Sequence, residues 1–150
     1  MTQLSHRPEA ANNPQLIASL LGTPGATWAV VGLTDSPDRV AKPIASFLKS
    51  ELGMHVVPVN LRREPVNGDR AFGRLTEIPF PVDVVHVFVN GAAAVGVVDE
   101  AIRKGVKNIW FQKDVDGPEA VDKALNAGMN VVVDTCPSIE GRMRSFGWRM

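Results

Sequence analysis

The sequence predicts an α/β fold built on a doubly wound, mainly parallel sheet. Short apolar runs alternate along the chain with segments of about 11 residues whose apolar positions recur at helical spacing. The runs are nearly continuous, as in VDVVHVFV at 82–89, which is the pattern of strands covered by helices on both faces. Right-handed crossovers between such strands give a Rossmann-like three-layer sandwich, in which ligands bind beyond the carboxyl ends of the strands.

The elements follow from these patterns in chain order. Helices are predicted where apolar residues repeat every three or four positions, at 14–21, 40–52, 92–104 and 117–127. Strands are predicted at 27–32, 54–60, 82–89, 108–112 and 129–134, with a further short strand at 70–72. Pro58 indicates the end of the second strand or an irregularity within it. The segment 136–150 shows no clear pattern.

Composition limits the classes of function. The 150 residues fit one domain at 13–150, preceded by a flexible segment at 1–12. The 16 basic and 16 acidic side chains cancel, so no overall field favours nucleic acid or an anionic membrane. The single cysteine favours a reducing, cytoplasmic location, and no apolar run suits a signal core or a membrane span. We expect a monomer or a homodimer, without a metal site.

The segment WAVVGLTDSPDRVAK, at 28–42, has the pattern of a phosphate-binding loop between a strand and a helix. Gly32 ends the strand and permits positive φ or the close approach of a ligand. Pro43 belongs in the first turn of the next helix, so this helix is predicted to begin near Lys42, after a loop over 33–41. Backbone N–H groups, the Thr34 hydroxyl and the Arg39 guanidinium can then hold phosphate oxygens.

Charged residues around this loop refine the prediction. Asp35 and Asp38 lower the local positive potential, and we expect them to pair with Arg39 when no ligand is bound. Lys42, at the start of a helix, opposes the helix dipole. That unfavourable placement indicates an anion nearby.

Residues after the second strand discriminate between nucleotide ligands. Arg62 and Arg63 lie just past its carboxyl end, where either side chain can approach ligand phosphates. NAD-binding folds usually carry Asp or Glu at the end of this strand, where this chain has Asn60. The loop at Gly32 also has a single glycine in place of G-x-G-x-x-G. Both features argue against NAD.

Six segments resemble, in order and spacing, the small stand-alone CoA-binding proteins, which are similar to the N-terminal CoA-binding domain of the succinyl-CoA synthetase α subunit. The segments are VVGLTDSPDR (30–39), VVPVN (56–60), VDVVHVF (82–88), VDEAIRKG (98–105), WFQ (110–112) and VVDTCPSIE (132–140). The resemblance implies a fold that binds coenzyme A, with no established reaction. The larger enzymes carry a phosphorylated histidine in a separate domain, and this chain has no such domain. We therefore expect CoA or acyl-CoA binding without catalysis.

The resemblance also implies the residues that contact the ligand. They follow the strands at 27–32, 54–60, 82–89 and 108–112, and comprise Gly32, Leu33, Thr34, Arg39, Val59, Asn60, Phe88 and Gln112. Asp35, Lys42 and Arg62 complete the predicted site. The adenine is expected near Val59, Asn60 and Phe88.

Three alternatives stay open at this stage. One is a regulatory module that responds to NAD or another nucleotide. Another is a small acyl- or thiol-transfer enzyme that uses Cys136. The third is a degenerate family member acting as an interaction domain, because Val89, Asn90 and Thr135 stand in segments where the family often has arginine.

Overall fold

The computed structural model describes residues 11–36 and 39–147. Within these ranges, five parallel strands form one sheet in the order β2-β1-β3-β4-β5. The strands are β1 Thr27–Val31, β2 His55–Val59, β3 Val84–Val87, β4 Asn108–Gln112 and β5 Asn130–Thr135. The helices are α1 Pro14–Leu21, α2 Ala41–Ser50, α3 Gly91–Lys104, α4 Pro118–Asn126 and α5 Pro137–Gly147, with a 3₁₀ turn at Leu75–Glu77. The predicted doubly wound α/β fold is confirmed.

The two faces of the sheet bury different side chains. In β1, Trp28 and Val30 pack with α1 and α2, whereas Ala29 and Val31 pack with α3 and α4. We call these the α2 face and the α3 face. Complete burial of a large apolar side chain stabilises a fold by about 1.5–3 kcal/mol, so both faces are needed for a stable sheet. Because strand residues alternate, Trp110 lies on the α2 face and Phe111 on the α3 face.

Helix α2 follows its predicted boundaries closely. It begins at Ala41, and Pro43 lies in its first turn, where a missing N–H costs nothing. Its buried stripe consists of Ala41, Ile44, Ala45 and Leu48, spaced at helical intervals. The loop between β1 and α2 is therefore long.

The predicted strand at 70–72 is a single bridge rather than a strand. Phe72 donates its N–H to the Pro58 carbonyl at 3.0 Å, and its own carbonyl accepts the N–H of Asn60 at 3.0 Å. The N–H and C=O of one residue point to the same side of a strand, so the missing N–H of Pro58 is on this outer side. Pro58 consequently lies inside β2, on the edge of the sheet, without weakening the pairing with β1.

The segment 136–150, which the sequence left unassigned, contains α5. Gly141 allows this helix to pack closely on α2, because a Cβ there would lie 2.9 Å from Cε2 of Phe47. The Arg142 guanidinium lies 4.7 Å from the centroid of the same ring. Glycine has low helix propensity, so the sequence of this segment does not indicate a helix.

Most of the predicted flexible segment, residues 1–10, lies outside the described residues. Its end is held to the outer edge of the sheet by Asn12, which donates its N–H to Val131 O at 3.0 Å. The Asn12 side chain also accepts the N–H of Val133 at 2.7 Å and donates to the carbonyl of the same residue at 3.1 Å. No helix in the described ranges is long and apolar enough to cross a membrane.

Candidate functional site

A cleft of about 770 Å³ opens at the carboxyl ends of β1 and β2, on the α3 face. It lies where the strand order reverses between β1 and β3, the position at which doubly wound sheets bind ligands. One wall is the loop after β1, and the second is the segment 59–64 after β2. The third consists of small and apolar side chains from the N-terminal half of α3, among them Ala93 and Val97.

Gly32 shapes the turn out of β1. Its φ is +100°, which L side chains rarely adopt, and its N–H donates to Val59 O at 2.9 Å. A Cβ at this position would lie 3.2 Å from Cβ of Phe88 and 3.4 Å from Cγ1 of Val89. Both the conformation and the close packing therefore require glycine.

The loop after Gly32 is held by its own polar side chains. The Thr34 hydroxyl accepts the N–H of Ser36 at 3.2 Å, which leaves its own O–H free to donate into the cleft. Asp35 accepts the N–H of Asn67 at 3.2 Å and pairs with the Lys42 ammonium at 3.2 Å. Thr34 and Asp35 both line the cleft.

The structure corrects two predictions about charged side chains. Asp35 pairs with Lys42 rather than with Arg39, and Asp38 lies outside the described residues. Lys42 does not line the cleft, and its ammonium pairs with Asp35, which does. No residue of α2 lines the cleft, whose helical wall comes from α3 instead.

Asn60 connects the two loops that form the cleft. Its side-chain NH₂ donates to Leu33 O at 3.1 Å and to Glu64 O at 3.0 Å, and its side-chain oxygen accepts the N–H of Glu64 at 2.9 Å. The side chain is only 8% exposed, so these bonds are shielded from water. Asn60 lines the cleft, but its side-chain polar atoms are hydrogen-bonded within the protein.

The structure separates the adjacent arginines after β2. Arg62 lines the cleft, together with Arg39 and Arg74. Arg63 has a φ of +55° and forms a bidentate pair with Glu77, through Nε to Oε1 at 3.1 Å and Nη2 to Oε2 at 2.6 Å. These bonds hold the pKa of Glu77 below its ordinary value. The sequence offered no means of distinguishing the two arginines.

Three predicted ligand contacts lie elsewhere. Leu33 is buried in the core of the α2 face, and only its carbonyl faces Asn60. Phe88 packs on His86, with ring centroids 4.5 Å apart, also on the α2 face. Gln112 is buried, and its Oε1 lies 2.8 Å from Nε2 of His86. None of the three lines the cleft.

A buried polar cluster therefore occupies the α2 face, consisting of His86, Gln112, Cys136 and Ser138. Burial lowers the pKa of His86 to about 4, so this side chain is neutral near pH 7. Burial acts to raise the pKa of the Cys136 thiol, but hydrogen bonds with Ser138, Gln112 and the first N–H groups of α5 outweigh it and lower the pKa. Cys136 is 7% exposed and does not line the cleft.

Sequence reasoning missed the contribution of α3 and of the turn before it. Ala93, Gly96 and Val97 of α3 and Leu75 of the 3₁₀ turn line the cleft. Glu100 also reaches it, but its carboxylate accepts the N–H of Leu75 at 2.8 Å. A signal was present in the small residues of GAAAVG at 91–96, which permit close approach to a helix.

Among the described residues no His, Cys, Asp or Glu cluster could hold a metal.

Comparison with known protein families decides the assignment. Residues 26–142 match the family model described as CoA binding domain. The chain belongs to the CoA-binding domain family. The matched range runs from the residue before β1 into α5, so it includes all three walls of the cleft. The predicted resemblance is thereby confirmed.

Three proteins illustrate what this chain is similar to. The uncharacterized protein YneT of Bacillus subtilis is 32% identical over 108 residues, which are 72% of this chain and 79% of that protein. The α subunit of ADP-forming acetate–CoA ligase II from Pyrococcus furiosus is 29% identical over 121 residues, or 74% of this chain. This chain matches only 26% of that subunit. A hypothetical protein from Pyrococcus horikoshii superposes with a TM-score of 0.81 and 32% identity, over 95% of this chain and 97% of the other.

Proposed function

We propose that the cleft binds CoA or an acyl-CoA and that the domain has no catalytic activity of its own. The observation that carries this proposal is the combination of Gly32, Arg39 and Arg62 around one cleft at the switch point of the sheet. Membership of the CoA-binding domain family supports the ligand class. The similarity to part of an acetate–CoA ligase subunit is consistent with an acyl-CoA as the ligand.

The phosphate groups are assigned to the loop after β1 and to the turn after β2. The positive φ of Gly32 turns the following backbone toward the cleft, where N–H groups can surround a pyrophosphate. The free O–H of Thr34 and the guanidinium of Arg39 add donors to the same group. Arg62, on the opposite wall, is assigned to the 3′-phosphate.

The apolar parts of the ligand are assigned to the remaining walls. Val59 lies at the base of the cleft, and Leu61 at its mouth is 91% exposed. We assign the adenine to these two side chains, since a flat ring would cover an otherwise solvated leucine. The pantetheine arm then runs along Ala93 and Val97 of α3. Phe88, which the sequence suggested as an adenine contact, is not assigned to the adenine here, because it packs on the α2 face.

Two features support binding without catalysis. No histidine or cysteine is among the described residues that line the cleft. The neutral His86 and the thiol of Cys136 both lie in the buried cluster on the α2 face. The free thiol of Cys136 also fits a reducing compartment such as the cytoplasm.

Isothermal titration of the wild type with CoA, acetyl-CoA, NAD and ATP tests the proposal. Removing a charge-assisted phosphate contact is worth about 1.5–3 kcal/mol, so Arg39→Ala should raise the Kd for CoA about tenfold or more. Arg103→Ala, an exposed arginine in the last turn of α3, is the matched control and should leave the Kd unchanged. Binding of NAD alone would favour the regulatory module, and no CoA binding at millimolar concentration would favour the interaction domain.

A further inference from the structure

Arg63, the residue after Arg62, forms an ion pair with Glu77, which also accepts a hydrogen bond from the cleft-lining residue Gly73. Neither residue of the pair lines the cleft. Glu77 accepts hydrogen bonds from Nε and Nη2 of Arg63 and from the backbone N–H of Gly73, the last at 3.0 Å. One carboxylate therefore joins the turn after β2 to the segment that precedes the 3₁₀ turn.

The turn itself is fixed from both sides. On the inner side, Asn60 holds the backbone of Glu64 through two hydrogen bonds, and the carbonyl of Asn60 accepts the N–H of Arg63 at 3.0 Å. On the outer side, the guanidinium of Arg63 lies over Gly73, where a Cβ would come within 3.0 Å of Cζ. Arg62 is held in the short stretch between these attachments.

The backbone conformation shows why an outer attachment is needed. Arg63 has a φ of +55°, a left-handed conformation that L residues other than Asn and Asp rarely adopt. With Arg63 in this left-handed conformation, the side chain of Arg62 lines the cleft and that of Arg63 pairs with Glu77. A turn released from Glu77 can relax to negative φ, and the guanidinium of Arg62 would then lose its fixed direction.

We propose that Arg63 and Glu77 are positioning residues that hold Arg62 toward the 3′-phosphate of the ligand. Glu77, which contacts no ligand, thereby sets the selectivity for CoA over 3′-dephospho-CoA. This inference rests on the proposed function, because it requires that the cleft bind CoA with Arg62 at the 3′-phosphate. It extends that proposal from residues in the cleft to a pair outside it.

Titration calorimetry with CoA and with 3′-dephospho-CoA provides the test. We expect the wild type to bind CoA about tenfold more tightly, the size of one charge-assisted phosphate contact. Glu77→Ala should lower this ratio to about threefold or less while leaving the Kd for 3′-dephospho-CoA nearly unchanged. Lys123→Ala, which removes another surface ion pair, with Asp99, is the matched control and should keep the wild-type ratio.

A double variant separates positioning from a general structural role. Arg62→Ala should abolish the selectivity, and adding Glu77→Ala to it should change the ratio no further. Loss of affinity for both ligands to the same degree in Glu77→Ala would show a merely structural role and overturn the inference. If Glu77→Ala does not fold, Arg63→Lys keeps the charge but removes the bidentate contact, and an unchanged ratio in that variant would overturn the inference equally.

The proposed function and this inference fail in different ways. A wild type that binds neither ligand contradicts CoA binding itself. A wild type that binds both ligands equally leaves CoA binding standing but removes Arg62 from the 3′-phosphate, and the inference with it. A selective wild type whose selectivity survives Glu77→Ala refutes the positioning role alone.

Discussion

Replacement of Gly32 by alanine should destabilise the fold and weaken ligand binding together. The positive φ of Gly32 would cost an alanine about 1–2 kcal/mol. Its Cβ would also lie 3.2 Å from Cβ of Phe88, an atom next to the backbone that cannot rotate away. Overpacking of this kind destabilises a fold by about 1–3 kcal/mol. Alanine also lowers the conformational entropy of the unfolded chain, which offsets about 0.4–1 kcal/mol of the loss. The expected net loss in the free energy of unfolding is about 3 kcal/mol.

Gly25→Ala is the matched control for this substitution. Gly25 also has a positive φ, +86°, but a Cβ there would have no neighbour within 4 Å. The control therefore carries the backbone strain without the steric contact. For a domain of this size about 1 kcal/mol corresponds to about 2–4 °C in Tm. Gly32→Ala should therefore melt about 6–12 °C below the wild type, and Gly25→Ala much closer to it.

Thermal melts followed by circular dichroism measure both variants, and titration with CoA follows on the folded proteins. Gly32→Ala should bind CoA more weakly than Gly25→Ala, because the loop must shift away from Phe88 and Val89. Equal melting temperatures for the two variants would refute the argument from close packing. Unchanged CoA affinity in Gly32→Ala would refute the role of this loop in binding.

Two further predictions concern buried polar side chains. The carboxylate in Asn60→Asp cannot donate to Leu33 O or Glu64 O, and it places a charge at a buried position. The free energy of unfolding measured in urea should therefore fall by about 2–4 kcal/mol. An unchanged urea midpoint would contradict the role of Asn60 in joining the two loops. His86 has a folded pKa of about 4, below its unfolded value, so its contribution to stability is present above about pH 6.5 and is lost as pH falls toward 4. Urea unfolding at several pH values measures this effect. Between pH 6.5 and 4, the free energy of unfolding of His86→Gln should depend on pH much less than that of the wild type. An identical pH dependence in the two proteins would contradict the argument that buried, neutral His86 causes it.

The sequence predicted the sheet well because its strands are short, apolar and separated by clear helical segments. It could not predict which face of the sheet the cleft opens on. Phe88 follows β3 in the same alternation as His86 and therefore lies on the α2 face, whereas Val89 lies on the α3 face and lines the cleft. The predicted contact residues Leu33 and Phe88 belong to the α2 face, yet α3 supplies the helical wall of the cleft.

Residue type also proved less informative than backbone conformation in the candidate site. Arg62 and Arg63 are identical as residues, but Arg62 lines the cleft whereas Arg63, at positive φ, pairs with Glu77. Asn60 was recognised as significant because it is not acidic. Its actual partners are backbone atoms of two loops, whose positions depend on the folded structure. Local sequence patterns do not contain that information.

The arrangement of carboxylates explains how a chain without net charge can offer a site for a polyanion. Asp35 is paired with Lys42, Glu77 with Arg63, and Glu100 accepts the N–H of Leu75. Each of these acidic groups near the cleft is directed to a donor of the protein itself, which reduces its repulsion of a ligand phosphate. Among the described residues, Arg39, Arg62 and Arg74 line the cleft without an ion pair, against one unpaired carboxylate in the lining, that of Glu64. The local field at the cleft is therefore set by which charges are already paired, and this is why a net charge of zero does not argue against a phosphate-bearing ligand.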